Sequence, residues 1–242
     1  SLLPSGSVSF LYYADRVNQL PLGVIGVAVG TALLPLLSRQ LRAGDDAAAA
    51  GSMNRALEFA LLLTVPGAAA LIVMPDLVVS VLFERGAFGA AETSATSAAL
   101  AAYAIGLPAY VLIKVLAPGF FAREDTVTPV KIAALCVAIN LVLNLVLMGP
   151  LLHVGIALAT AISAWVNAGL LAWMLMRRGH FVADSRLRRA APRTLLASAA
   201  MAGILWFAAG ALADVAAIDP TREAFVLALL VGLGLVAFGA GA

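Results

Sequence analysis

The chain of 242 residues is 63% hydrophobic and only 12% charged, with a mean hydropathy of +1.03, whereas an average soluble domain is near half apolar and a quarter charged. So few charges cannot solvate the surface of a water-soluble protein of this size, and most of the outer surface is expected to face hydrocarbon. The net charge of +2 comes from 15 basic and 13 acidic residues, so overall basicity carries no information about partners and the placement of each charge carries a great deal.

A helix needs about 20 apolar residues to cross a bilayer, and seven segments qualify: 8–38, 55–83, 92–117, 129–149, 154–176, 190–212 and 223–242. The expected fold class is all-α, a polytopic transmembrane bundle of seven helices. Lipid-exposed open strands would leave backbone groups unpaired, and the ten-residue alternation of a membrane barrel is absent from the sequence. The first segment holds "LYYADRVNQLPLG", with Asp15 and Arg16 inside an apolar run. The second and third contain Pro66, Pro75 and Pro108, expected to kink helices rather than end them. The fourth contains the single cysteine, Cys136, which excludes an intrachain disulfide and a cysteine-cluster metal site. Between segments lie "RAGDD", "ERGAFGA", "AREDTVTP", "GPLLH", "RRGHFVADSRLRR" and "DVAAIDPTRE", all with turn chemistry. The chain opens without an initiator Met or a basic leader and stops inside an apolar segment, so it is expected to be a piece of a longer membrane protein.

Orientation follows from arginine and lysine on alternate connections. Arg39, Arg42, Arg55, Arg123, Lys131, Arg177, Arg178, Arg186, Arg188, Arg189 and Arg193 fall on one side, Arg85 and Arg222 on the other. The first side is therefore expected in the cytoplasm, and residues 1–7 outside. The loop "RRGHFVADSRLRRAAPR" is explained by this topology and by anionic lipid, and no nucleic-acid partner is expected.

Two cations belong to neither side, Arg16 and Lys114. Tyr12, Asp15, Arg16, Gln19 and Gly23 recur at helical spacing and share a face. Arg16 would lie about 12 Å along the helix from Val8, inside the outer leaflet, where an arginine facing lipid costs at least ~2.5 kcal/mol. Two readings stand: Asp15 and Arg16 pair to pin helices together, or Arg16 offers its planar donor fork to an anionic group such as a phosphate, with Asp15 orienting it. Lys114 either snorkels to headgroups or lines the inner mouth of the same cavity. Pro21, Gly23, Gly26 and Gly30 serve close packing or flexing of the first helix. Arg123, Glu124, Asp125 and Lys131 read as a solvated loop with local pairs or as a gate. His153 and His180 have no metal-ligand partner in sequence. No nucleophile, base and orienter can be assembled, so the protein is not expected to be an enzyme.

The strings "PSGSVSFLYYADRVNQLPLGVIGVAVGTALLPLLSRQ", "VLFERGAFGA", "KVLAPGFFAREDTVTPVKIA" and "NLVLNLVLMGPLLHVGIALATAISAWVNAGLL" resemble the MurJ/MviN lipid II flippases of the MOP exporter superfamily. The resemblance covers nearly the whole chain, weakens over the last two segments, and corresponds to helices eight to fourteen of a fourteen-helix fold. It implies two units: residues 1–178 as a second-lobe bundle, and 179–242 as two helices forming a groove for a lipid tail. It implies lipid II as substrate, an undecaprenyl-diphosphate-linked peptidoglycan precursor moved by alternating access from the cytoplasmic to the periplasmic leaflet of the bacterial inner membrane. It implies a first lobe as partner, in cis or as another chain. Arg16 then inherits a diphosphate contact and Asp15 the adjacent role, with Tyr12, Gln19 and Lys114 beside them. Some members hold sodium between the corresponding helices, which makes Asn140, Asn144, the Ile156 carbonyl and Thr160 candidate ligands. Asn144 stands where those members carry Asp, and a neutral amide weakens a hard-cation site. Interhelical amide bonding is the competing reading of Asn140 and Asn144, and another exporter of the superfamily or a noncatalytic scaffold are the competing functions.

Overall fold

In the computed structural model, residues 6–216 and 220–241 are described. The expected start outside the membrane therefore lies, for residues 1–5, outside the described residues. The elements are α1 (Ser7–Arg42), α2 (Asp46–Val73), α3 (Pro75–Phe83), α4 (Ala90–Phe121), α5 (Val127–Arg177), α6 (Ser185–Ala216) and α7 (Pro220–Gly241). No strand occurs among the described residues.

One boundary corrects the sequence reading and another bears it out. The segment 55–83 is split, because α2 ends at Val73 and Met74 leaves helical geometry (φ −130°, ψ 49°) before Pro75 begins α3. Pro75 thus ends a helix, since it lacks the N–H that would continue one; Pro66 and Pro108 stay inside α2 and α4 as expected. The segments 129–149 and 154–176 are the two arms of α5, which leaves helical geometry at Leu152 (φ 52°, ψ −130°). The arms run antiparallel: Ser163 Oγ donates to the Cys136 carbonyl at 2.8 Å, and a β-carbon at Gly155 would sit 2.3 Å from the Leu147 carbonyl oxygen. Only glycine permits that approach beside the reversal. Five helices, α2, α4, α5, α6 and α7, are long and apolar enough to cross a membrane, against the seven segments expected. The 51-residue α5 counts once although it folds back, and α1, whose side chains at 24–25 and 27–30 are outside the description, is not among the five.

α6 also begins earlier than the expected 190. Asp184 Oδ1 accepts from Leu187 N at 2.7 Å, capping the first turn, and Asn54 of α2 holds the preceding backbone through Val182 O at 2.9 Å and Asp184 N at 3.1 Å.

The interior is aliphatic. Leu33 and Leu37 of α1, Met53 and Leu57 of α2, Val111 and Phe120 of α4, and Leu171 and Leu175 of α5 form one cluster. Ala14 and Val17 meet Val79, Leu100 and Ala157 in a second. α6 and α7 add a third with the end of α2, through Met74, Met201, Leu205, Val226 and Leu230. An apolar groove of about 280 Å3 runs between α2, α6 and α7. The first arm of α5 presents Val130, Val137, Leu141, Leu145 and Val146, each about 60–69% exposed, a stripe that only lipid or another apolar element would cover. The chain is a multi-pass membrane protein.

The basic connections meet on one face. Arg178 bonds Asp125, Arg123 lies 3.5 Å from Asp46, and Arg186 lies 2.9 Å from Glu58. The α1–α2, α4–α5 and α5–α6 connections therefore share a side, as the alternation of basic residues requires.

Candidate functional site

α1 carries the polar face predicted by its spacing. The Arg16 guanidinium lies over the Tyr12 ring, 4.9 Å from its centroid, and Arg16 Nη1 donates to Gln19 Oε1 at 3.3 Å. Gln19 Nε2 donates to Asp15 Oδ2. Gln19 is thus a bridge: adjacent residues diverge by about 100° around a helix, so the carboxylate reaches the guanidinium through the amide one turn on. No ion pair joins Asp15 to Arg16 among the described residues, and Arg16 stays exposed.

Beside this face a cleft of about 360 Å3 opens between α1, α4 and the second arm of α5, lined by Asp15, Asn18, Gln19, Leu22, Gly23, Tyr103, Tyr110, Lys114 and Thr160. Lys114 lines the cleft. Its stem crosses α1 at Gly26, where a β-carbon would lie 2.5 Å from Lys114 Cδ. Tyr12 and Arg16 are not on the cleft wall; they occupy the adjoining exposed strip. The structure so gathers Asp15, Gln19 and Lys114 at one cavity and sets Arg16 and Tyr12 at its edge.

Three wall residues went unread in the sequence. Asn18 is 2% exposed and its Oδ1 is buried without a hydrogen-bond partner; the buried Tyr110 hydroxyl is likewise unpartnered. Tyr103, Tyr110 and Lys114 recur at seven and four residues, one face of α4, and that spacing was the available signal. Buried polar groups without partners are rare and costly, and these two belong to residues of the cleft wall.

The cation set is divided. Asn144 Nδ2 donates to Asn140 Oδ1 at 2.9 Å, and Thr160 Oγ1 to the Ile156 carbonyl at 2.9 Å. The Cys136–Ser163 contact sets Asn140 level with Thr160 and Asn144 level with Ile156 to within a residue, but no hydrogen bond links the two pairs. Asn144 Oδ1 is buried and accepts no hydrogen bond among the described residues. All four oxygens are neutral, and no group of three His, Cys, Asp or Glu side chains gathers among the described residues. The donors fit sodium poorly, because nothing offsets its charge.

His153 donates Nε2–H to the Ala95 carbonyl at 2.9 Å and lies 5.5 Å from the Phe10 ring, tying α5 to the starts of α4 and α1. On the basic face, burial first and then Arg123 and Arg178 push the His180 pKa down. Asp125 accepts from Thr128 N at 3.0 Å, Arg178 also bonds Thr128 Oγ1 at 2.9 Å, and the Thr128 hydrogen bonds, followed by Arg178, hold the Asp125 carboxyl down at about 2. Within the loop only the Asp125–Thr128 bond is local; the ion pairs of Asp125 with Arg178 and of Arg123 with Asp46 tie the loop to other connections, which corrects the expectation of local pairs.

The family model for the lipid II flippase MurJ matches residues 1–216. A probable lipid II flippase MurJ of Rhizobium meliloti (strain 1021) is 51% identical over 203 residues, 84% of this chain and 38% of that protein. Its counterpart in Vibrio cholerae is 34% identical over 238 residues, 98% of this chain and 45% of that one. A solved structure of a lipid II flippase MurJ in an inward closed conformation superposes with a TM-score of 0.80 at 26% identity, covering 97% of this chain and 46% of the other. The chain thus spans less than half the length of these relatives, and the family model covers all but its last 26 residues: it belongs to the lipid II flippase MurJ family.

Proposed function

We propose that this chain is the second lobe and the two following helices of a lipid II flippase. It moves the undecaprenyl-diphosphate-linked precursor from the cytoplasmic to the periplasmic leaflet of the bacterial inner membrane by alternating access. The observation that carries this reading is the polar cleft inside an apolar bundle, with Asp15, Gln19 and Lys114 on its wall and Arg16 exposed at its rim. An exposed guanidinium pre-oriented through Gln19 suits a diphosphate, whose oxygens accept a bidentate fork. The polar side chains of the cleft lining, among them Asp15, Gln19 and Lys114, suit the hydroxyls and amides of a large headgroup. Transport of this kind makes and breaks no covalent bond, so no enzyme activity is assigned.

The exposed face of α1 is where a first lobe, absent from this chain, completes the cavity, and transport requires both lobes. The scaffold reading is disfavoured because Asp15 satisfies Gln19 and leaves Arg16 open. The test is complementation of cells depleted of their own flippase with the full-length protein carrying Arg16→Ala or Arg16→Lys. Failure of Ala with membrane levels unchanged supports the assignment; full growth with Ala removes it.

A further inference from the structure

Glycine is the poorest helix former after proline, yet α1 carries Gly23 and Gly26 in mid-helix, neither of them in the left-handed region. Gly26 is explained by packing, since a β-carbon there would lie 2.5 Å from Lys114 Cδ. Gly23 is not: an added β-carbon meets no described atom within 4 Å, and the residue is exposed. Neither a turn nor a close contact among the described residues requires the missing side chain. Gly23 does line the cleft between α1, α4 and α5, and it is the one residue of that lining without a side chain. What the glycine supplies there is depth.

The groups around this bare patch identify what fits on it. Gln19, whose amide donates to Asp15, stands one turn before Gly23, about 6 Å along the axis at 1.5 Å per residue. Lys114, which crosses α1 at Gly26, stands about one turn beyond. Across the cleft, Thr160 Oγ1 donates its hydrogen to the Ile156 carbonyl and keeps a lone pair for an incoming donor. Bare backbone between a carboxylate–amide pair and an ammonium suits a ring with a flat face and an edge of hydroxyls, which donate to one side and accept from the other. A phosphate on the patch would be repelled by Asp15, and an acyl chain would leave Asp15 and Lys114 facing hydrocarbon. A sugar ring does neither.

We propose that Gly23 is the size-determining position of the transport cleft, its bare backbone leaving the depth in which the sugar ring next to the diphosphate lies. The hydroxyls of that ring donate to Asp15 and Gln19 and accept from Lys114. The proposal rests on the reading of the cleft as the substrate site, and it adds the residue that limits which headgroup enters. A larger side chain at position 23 fills that depth without opposing the helix, because every residue except proline favours a helix more than glycine does.

The experiment measures binding of two labelled ligands to the purified full-length protein: the complete undecaprenyl-diphosphate-linked precursor and bare undecaprenyl diphosphate. Gly23→Leu is expected to lose affinity for the complete precursor by at least about tenfold, as overpacking of a fitted site does, and to bind the bare diphosphate as wild type does. Retained binding of the bare diphosphate also reports that the variant is folded. Gly23→Ala should show a smaller loss of the same kind, and Gly203→Leu, on α6 with nothing within 4 Å of an added β-carbon, should bind both ligands as wild type. Unchanged binding of both ligands by Gly23→Leu overturns the proposal. Loss of both by the same factor overturns it too, and shows instead that position 23 packs against another part of the full-length protein. Arg16→Ala separates the two levels of the argument: indifference of both ligands to Arg16→Ala removes the assignment of the cleft and this proposal with it, whereas sensitivity to Arg16→Ala with indifference to Gly23→Leu removes this proposal alone.

Discussion

Lys114 of α4 lies across Gly26 of α1, so close that a β-carbon at position 26 would stand 2.5 Å from Lys114 Cδ. The glycine therefore sets where the Lys114 stem enters the cleft between α1, α4 and α5, and one helix positions a charge borne by another. Its role is distinct from flexing: the conformation at Gly26 is helical, and what matters is the missing side chain.

Gly26→Ala should leave the bundle folded, since alanine favours a helix by up to ~1 kcal/mol over glycine and the flexible lysine can give way. It should nevertheless displace Lys114 and lower flippase complementation several-fold, about as far as Lys114→Ala does. Gly203→Ala, on α6 with nothing within 4 Å of the added carbon, is the control. Comparable growth of the Gly26 and Gly203 variants would show that the packing does not position the ammonium.

The Arg16–Gln19–Asp15 chain makes a second prediction. Gln19→Ala removes the only hydrogen-bond acceptor holding Arg16 among the described residues without touching either charge. Substrate affinity of the full-length protein should fall by roughly tenfold, the worth of a hydrogen bond to a charged group. Gln19→Glu should fall further, because its carboxylate sits beside Asp15 and competes with the substrate for Arg16. Binding of labelled lipid II to the purified protein reads both; a Gln19→Glu protein that binds as wild type would remove the bridging role.

How far the sequence disclosed this arrangement depends on which physical signal each residue carried. Tyr12, Asp15, Arg16 and Gln19 were legible because polar residues at helical spacing in an apolar run have one economical explanation. The reversal at Leu152 was legible as a gap between segments, since "GPLLH" carries turn chemistry. Tyr103 and Tyr110 were not, because an aromatic in an apolar helix reads as core until its hydroxyl is seen to lack a partner. The early start of α6 depends on Asn54, some 130 residues away, a contact that no local pattern announces. The break at Pro75 shows the limit of composition: three prolines in similar apolar contexts met different fates, two accommodated and one terminating.

The basic-side latch should respond to acid. The folded Asp125 carboxyl is held at about 2, below the ordinary value near 3.9, so the folded state binds fewer protons there than the unfolded state. Its contribution is fully present above about pH 4 and is lost as pH falls toward 2. The effect is modest, about 1 kcal/mol or less, since the Asp125–Arg178 pair is partly exposed. Thermal unfolding of detergent-purified protein should lose stability over that window, and Asp125→Asn should flatten the loss; an unchanged pH profile in the variant would show that the latch contributes nothing measurable.

The last prediction concerns the divided oxygen cluster of α5. Asn144 donates to Asn140 and leaves its own Oδ1 buried without a partner among the described residues, while no oxygen of the set carries a charge. We propose that sodium occupies Asn140, Asn144, Ile156 and Thr160 only weakly, and that the missing carboxylate is the reason. Asn144→Asp supplies it at the same side-chain length, and a hard cation gains most from an anionic oxygen. The variant should become measurably more heat-stable in sodium than in a large organic cation, while wild type differs little between the two; lithium should mimic sodium partly, because its coordination sphere is smaller. Equal melting of the variant in every salt would show that the two arms do not bring these four oxygens to a common point, and a wild-type protein already stabilised by sodium would show that neutral oxygens suffice.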